Sequence, residues 1–161
     1  MIASGCLFIR REIANVRRMQ GFSIDSRLEA DTLPVGKLPL SRVLLMNDAR
    51  FPWLILVPER HGIAEIIDLA AADHSQLWRE ITAANHALKA LFSPDKLNTG
   101  ALGNRVRQLH IHIIARFHSD AAWPGPVWGQ GTALPYPPHA AGSFIDKIAA
   151  ALKPHGLTEH S

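Results

Sequence analysis

The sequence has few of the residues that mark secreted, membrane-spanning or disordered proteins. Its single cysteine, Cys6, can form no disulfide within the chain, which is typical of a reducing compartment. No apolar run approaches the ~20 residues that a membrane helix requires, since the run "WLILVP" is followed at once by Glu59 and Arg60. Charged residues make up only 19% of the chain and hydrophobic residues 47%, which predicts a folded globular protein. We therefore expect a cytoplasmic protein without a membrane partner.

The chain also lacks an excess of positive charge outside its first residues. Its formal net charge is +3, and residues 1–18 account for all of it, because four arginines there are opposed only by Glu12. Residues 19–161 are formally neutral and have no general attraction for a nucleic-acid backbone. We predict that residues 1–18 are an N-terminal extension outside the fold, that residues 19–161 form one domain, and that nucleic acid is not a partner.

Two short apolar runs and one long amphipathic stretch predict the first half of the fold. Residues 41–47 and 52–58 are β-type runs joined by a linker short enough for a hairpin. Residues 73–92 repeat apolar side chains at spacings of 4, 3, 4 and 3, which is one stripe of a helix. Asp73 resembles the first residue of a capping box, and Pro94 lies just past the helix end. The stripe consists of Leu77, Ile81, Ala84, Leu88 and Leu91.

The second half predicts one long strand and a short C-terminal helix. Residues 106–117 are predicted as the longest strand, and residues 121–141 as a proline-rich surface loop. The stretch "SFIDKIAAALK" follows as a helix, with Ser143 as its N-cap. Strands with short connections and a segregated long helix indicate an α+β fold with an antiparallel sheet.

Polar side chains recur on one face of the long strand. In "RQLHIHIIAR", residues 107–116, the side chains of Gln108, His110 and His112 share a face and lie ~6.6 Å apart by strand rise. Burying polar groups without partners costs on the order of 1–3 kcal/mol each. A solvated polar face would explain one such residue, but a row of three indicates a cleft or a binding surface.

Two chemistries suit such a row. A His-x-His pair on a strand can bind zinc or iron, provided that His61, His118 or Asp48 supplies a third ligand. A neutral imidazole can instead attack phosphorus and hold the transferred group covalently, with a neighbouring histidine, an amide and glycine-flanked backbone N–H groups around it. The segment "TGALGNRVRQ" directly upstream offers such groups. The second interpretation is preferred, with no metal and no cofactor.

Three stretches together resemble the histidine-triad (HIT) family of nucleotide hydrolases and transferases. "QLHIHIIAR" is similar to the family signature H-φ-H-φ-H-φ-φ, in which φ is an apolar residue. "LLMNDARFPWLILVPERHG" is similar to the family's strand pair, and "LNTG" with "GNRVRQLHIH" to its Asn–Gly turn leading into the triad strand. The resemblance covers about residues 40–118. It implies an antiparallel sheet of about five strands with one long helix and a short C-terminal helix.

The resemblance also implies a role for particular residues. His110 falls on the family's nucleophile and His112 on the third histidine of the triad, next to the phosphate. Gln108 replaces the first histidine and is expected to position the site by hydrogen bonds. The expected nucleotide-binding residues are Asn47 and Asp48 at the ribose hydroxyls, Asn98 as an orienting residue, and Asn104 near the bridging oxygens.

The implied activity is hydrolysis at a nucleotide α-phosphorus through a nucleotidyl-histidine. Dinucleoside polyphosphates, such as diadenosine tetraphosphate, and nucleoside phosphoramidates are the two substrate classes that the family suggests, and a homodimer is the usual assembly. Trp53 stands where the family usually has another histidine, so Trp53 and Gln108 are a candidate coordinated pair. The alternatives are a nucleotide-binding or protein-interaction module with a decayed site, and a metal-dependent enzyme using His110 and His112.

Overall fold

The computed structural model describes residues 21–159, and its elements follow the order expected of an α+β fold. The predicted extension, residues 1–18, lies outside the described residues. Short 3₁₀ turns occur at Ile66–Asp68 and Lys153–His155. The main elements are α1 (Ser26–Asp31), β1 (Thr32–Lys37), β2 (Ser41–Met46), β3 (Trp53–Pro58), α2 (Ala71–Phe92), β4 (Lys96–Gly100), β5 (Ile111–Arg116) and α3 (Pro138–Leu152).

The five strands form one antiparallel sheet in the order β1-β2-β3-β5-β4. The hairpin predicted for residues 41–58 is present, with Ser41 opposite Pro58. Strand β5 lies between β3 and β4, with Ile55 opposite His112. The predicted fold class is confirmed: five strands, one long helix and a shorter C-terminal helix.

Each face of the sheet has its own hydrophobic cluster, and this separates the two sides of β5. Ile111, Ile113 and Ala115 face the larger cluster, which includes buried side chains of α2 and α3. Ile114 faces the smaller cluster, which includes Leu28 of α1 and Trp53 of β3. The alternation predicted from the sequence is therefore present. It places the imidazole of His112 on the side of the sheet away from the long helix.

The long helix begins two residues earlier than its sequence pattern predicts. Its N-cap is Ala70, and Asp73 lies in the first turn, where its carboxylate accepts two hydrogen bonds from Arg60. The capping box predicted at Asp73 is therefore wrong, because Arg60 occupies the carboxylate. The helix ends at Phe92, where Ser93 adopts a left-handed conformation (φ 47°) ahead of Pro94.

The C-terminal helix also begins earlier than predicted. It begins at Pro138, so Ser143 lies inside the helix and is not its N-cap. Proline suits a first helical turn because its fixed φ is helical and its missing N–H would have no partner there. None of the helices described between residues 21 and 159 is both long and apolar enough to cross a bilayer.

Candidate functional site

His110 lies one residue before strand β5, and the strand is shorter than the predicted 106–117. The N–H of Leu109 donates to the carbonyl of Ile63 at 3.0 Å, outside the sheet ladder. The partner strand β4 already ends at Gly100, opposite His112. Strand β3 pairs with β5 only as far as Leu56 opposite Ile111, although β3 itself continues to Pro58, so residues 106–110 lie outside the sheet ladder. Gln108 therefore does not continue the polar row of the strand.

A backbone carbonyl fixes the proton on the imidazole of His110. Its Nδ1 lies 2.7 Å from the carbonyl oxygen of Gln108. A carbonyl can only accept a hydrogen bond, so Nδ1 carries the proton and Nε2 of the neutral ring keeps its lone pair. His110 is 6% exposed. The arrangement presents a nucleophilic nitrogen from a ring with a fixed orientation.

Trp53 fixes the other neutral tautomer in the neighbouring imidazole of His112. The indole Nε1–H of Trp53 donates to Nδ1 of His112 at 3.0 Å, so the proton of His112 lies on Nε2. The ring of His112 contacts His110 edge-on, with centroids 4.8 Å apart. Trp53 is therefore a hydrogen-bond donor to the site as well as a packing residue. Its partner is His112 and not Gln108, so the two residues are not a directly bonded pair.

Burial keeps the imidazole of His112 neutral. Desolvation, together with the charge of His110 when that ring is protonated, lowers the pKa of His112 to about 3. The charged form is disfavoured because the ring is only 5% exposed. His112 is therefore a neutral N–H donor throughout pH 5–8 and not a proton source.

We expect that the variant Trp53→Phe no longer holds His112 in a single tautomer. Losing one hydrogen bond removes about 1 kcal/mol of preference, so both neutral tautomers should be populated. Nitrogen-15 NMR of the imidazole measures their ratio. Trp128→Phe is the matched control, because the Nε1 of Trp128 is buried without a hydrogen-bond partner among the described residues. A single unchanged tautomer in Trp53→Phe would contradict this assignment.

The side chain of Gln108 anchors the N-terminal segment. Its Oε1 accepts from the N–H of Asp25 at 2.8 Å, and its Nε2 donates to the carbonyl of Ser23 at 2.9 Å. The positioning role was expected of this amide, but the group of Gln108 that contacts His110 is its backbone carbonyl. Its amide lines neither of the two cavities described below.

Two adjoining cavities open beside the histidine pair. The first cavity, of about 370 Å³, is lined by His110, His112 and a mixture of apolar and polar side chains. The second, of about 430 Å³, is more polar and contains Asn47 and Asp48. The residues shared by both cavities are Asp31, Met46, Trp53, Arg105 and Gly129.

The two residues expected at a ribose lie in the second cavity. Burial alone would raise the pKa of Asp48, but hydrogen bonds from the Arg50 guanidinium and from the N–H groups of Leu134 and Arg50 lower it below its usual value. The Oδ1 of Asn47 accepts from the N–H of Tyr136 at 2.9 Å. Both side chains therefore fix the start of the segment between β2 and β3 to residues 134–136.

Two further residues were predicted to bind the nucleotide, and one of them lines a cavity while the other does not. Asn104 lines the first cavity. Asn98 lies on β4 opposite Ile114, and its Oδ1 accepts from Nη1 of Arg116 at 2.7 Å. Arg116 in turn pairs with Asp120. Asn98 therefore belongs to a buried network behind the site and lines neither cavity.

Among the cavity residues that the sequence interpretation did not place in the site are Trp128 and two residues of α1. Trp128 is half-buried, with its ring 5.5 Å from His112 and 6.2 Å from Trp53, although its proline-rich segment predicts a surface loop. Leu28 and Asp31 come from the short helix α1. No sequence pattern marks α1, and only the richness of residues 121–141 in aromatics could have indicated Trp128.

The metal-binding alternative lacks a third ligand in the part of the chain that the structure describes. Within residues 21–159, no three histidine, cysteine, aspartate or glutamate side chains converge as a metal site would require. Asp48 is held by Arg50, and His118 pairs with Asp95.

Comparison with known proteins identifies relatives of this arrangement. The HIT domain model matches residues 27–119. A histidine triad protein from Bradyrhizobium japonicum is 48% identical, with a TM-score of 0.80 over 82% of this chain and 98% of its own. One from Marinobacter aquaeolei is 42% identical, with a TM-score of 0.82 over 85% of this chain and 100% of its own. No curated protein matches the chain.

Proposed function

Since this chain belongs to the HIT domain family, we propose that it hydrolyses nucleotides at the α-phosphorus, with His110 as the nucleophile. The observation that carries the proposal is the hydrogen bond from Nδ1 of His110 to the Gln108 carbonyl. It leaves the Nε2 lone pair available in a cavity large enough for a phosphate and its neighbours.

The reaction proceeds in two displacements. In the first, the Nε2 lone pair of His110 forms a bond to phosphorus, and the bond from phosphorus to the leaving group breaks with its electron pair. The positive charge of the nucleotidyl-imidazole is stabilised by the hydrogen bond from Nδ1 to the Gln108 carbonyl. In the second, a water oxygen attacks phosphorus, the P–N bond breaks, the pair returns to Nε2 and the water proton goes to solvent.

The neighbouring groups stabilise charge on the phosphoryl oxygens. Because Trp53 occupies Nδ1 of His112, the Nε2–H of His112 is the donor available to a phosphoryl oxygen. The residues proposed for the ribose hydroxyls are Asn47, through Nδ2, and Asp48, through Oδ2. Both line the second cavity, so the nucleoside extends there from the phosphate. Dinucleoside polyphosphates are the proposed substrates. The single cysteine, Cys6, supports a cytoplasmic location.

Trapping the covalent intermediate tests this proposal directly. We expect that incubation with α-labelled diadenosine tetraphosphate, followed by rapid quenching at alkaline pH, leaves label on one peptide, at His110. The His112→Ala variant should still form the adduct, whereas His110→Ala should form none. Label on another residue, or turnover with no adduct in the parent at any quench time, would refute the covalent mechanism.

We further propose that the protein is a homodimer joined through α2 and a sheet edge. Trp78 of α2 is 60% exposed, which suits the core of an interface, and β4 is an edge strand of the sheet. We expect a dimer mass at micromolar concentration in sedimentation equilibrium and a monomer for Trp78→Glu. Arg79→Gln, which lowers the charge by the same one unit at the next position, is the control. A monomeric parent would contradict the proposal.

A further inference from the structure

Among the residues that the structure describes, one positive side chain around the two cavities has no protein partner. Four charged residues line the cavities: Asp31, Asp48, Arg50 and Arg105. The guanidinium of Arg50 already has protein partners, since it pairs with both oxygens of Asp48 and donates to the carbonyl of Gln130. The guanidinium of Arg105 makes no hydrogen bond or ion pair within residues 21–159.

The backbone holds Arg105 at the junction of the two cavities. Its carbonyl accepts from Nη1 of Arg27 at 2.9 Å, and Gly103 upstream turns the chain with a φ of +68°. Arg105 is exposed and lines both cavities, the first of which contains the nucleophile. A planar guanidinium with five donors is well suited to phosphate.

The ionisable groups of the site also suit a leaving group that needs no proton. An amine leaving group must gain a proton as its bond to phosphorus breaks, whereas a phosphate leaves as a stable anion. His112 is neutral and only donates a hydrogen bond from Nε2, because burial holds its pKa near 3. Gln108 cannot titrate, and its amide is bound to Ser23 and Asp25.

From the placement of Arg105 we infer that this residue binds a phosphate adjacent to the α-phosphate, and that the site therefore prefers polyphosphate substrates to phosphoramidates. This inference rests on the proposed function for its chemistry, but the phosphate contact itself can be measured by binding. Arg105 is then the residue that determines the class of leaving group.

Calorimetric binding to the full chain tests the contact without turnover. The probes are AMP and adenosine 5′-(α,β-methylene)diphosphate, which has a second phosphate but no cleavable bridge. We expect the parent to bind the diphosphate about tenfold more tightly than AMP, and Arg105→Ala to lose this ratio. Arg107→Ala is the matched control, because Arg107 is an exposed arginine two residues away that lines neither cavity.

Turnover provides the second readout. The ratio of kcat/KM for diadenosine tetraphosphate to that for adenosine 5′-phosphoramidate should fall about tenfold in Arg105→Ala and stay unchanged in Arg107→Ala. Equal affinities in the parent, an unchanged ratio in Arg105→Ala, or the same loss in both variants overturns the inference. A parent that discriminates in binding but hydrolyses neither substrate refutes the proposed function and leaves the phosphate contact supported. No binding of either probe overturns both.

Discussion

Replacing His110 with alanine should lower kcat/KM for diadenosine tetraphosphate by at least about a thousandfold, because it removes the atom that we propose attacks phosphorus. The melting temperature should change little, since the ring lines a cavity and its Nδ1 donates to the nearby carbonyl of Gln108. Steady-state kinetics and a thermal melt measure the two quantities.

Alanine variants of two other histidines serve as comparisons for this result. His112→Ala should retain residual activity, with a loss of about ten- to a hundredfold, because it removes a proposed hydrogen-bond donor and not the proposed nucleophile. His86→Ala should match the parent, since His86 is an exposed residue of α2 that lines neither cavity. Activity of His110→Ala near that of the parent would refute the mechanism as a whole.

Replacing Asp120 with alanine should destabilise the fold by about 3–5 kcal/mol, because it leaves a buried guanidinium without its counterion. The side chains of Arg116 and Asp120 are 2% and 3% exposed. Arg116 donates to both carboxylate oxygens, at 2.7 and 3.0 Å, and also to Asn98 and to the carbonyl of Gly125. Urea denaturation measures the loss.

The exposed pair of Arg60 and Asp73 is the control for this experiment. Its arginine side chain is 44% exposed, and exposed pairs contribute about 0–1 kcal/mol. Asp73→Ala should therefore cost far less than Asp120→Ala. Equal losses in the two variants would show that the buried network of Arg116 has no special part in stability.

The same carboxylate should make stability depend on pH. Burial alone would raise the pKa of Asp120, but Arg116 and the N–H groups of Phe117 and Ala122 outweigh it and lower the pKa from 3.8 to about 2. A lowered folded-state pKa gives stability that is complete above about pH 4 and is lost as the pH falls towards 2. Its size is about 2 kcal/mol. In Asp120→Ala this component should be missing from the profile of unfolding free energy against pH.

The sequence by itself determined the hairpin of β2 and β3, the strand β5 and the identity of the histidine pair. Strict alternation from Leu109 to Ala115 requires opposite faces for neighbouring side chains, and the structure places Ile111 and His112 on opposite sides of β5. The spacing of Leu77, Ile81 and Leu88 likewise fixes the buried stripe of α2. These features are local periodicities. The hydrophobic effect buries a periodic apolar face in the same way, whatever path the rest of the chain takes.

Only the tertiary structure decided how the polar residues are used. Gln108 continues the row of histidines in sequence, yet its amide binds the backbone at residues 23 and 25, more than eighty positions away. The pairing of Trp53 with His112 spans 59 positions. A hydrogen bond forms between groups that are close in space. The periodicity of a sequence does not indicate which distant residues the fold brings together. For the same reason α1, Trp128 and the junction at Arg105 become parts of the site only once the sheet has brought them together.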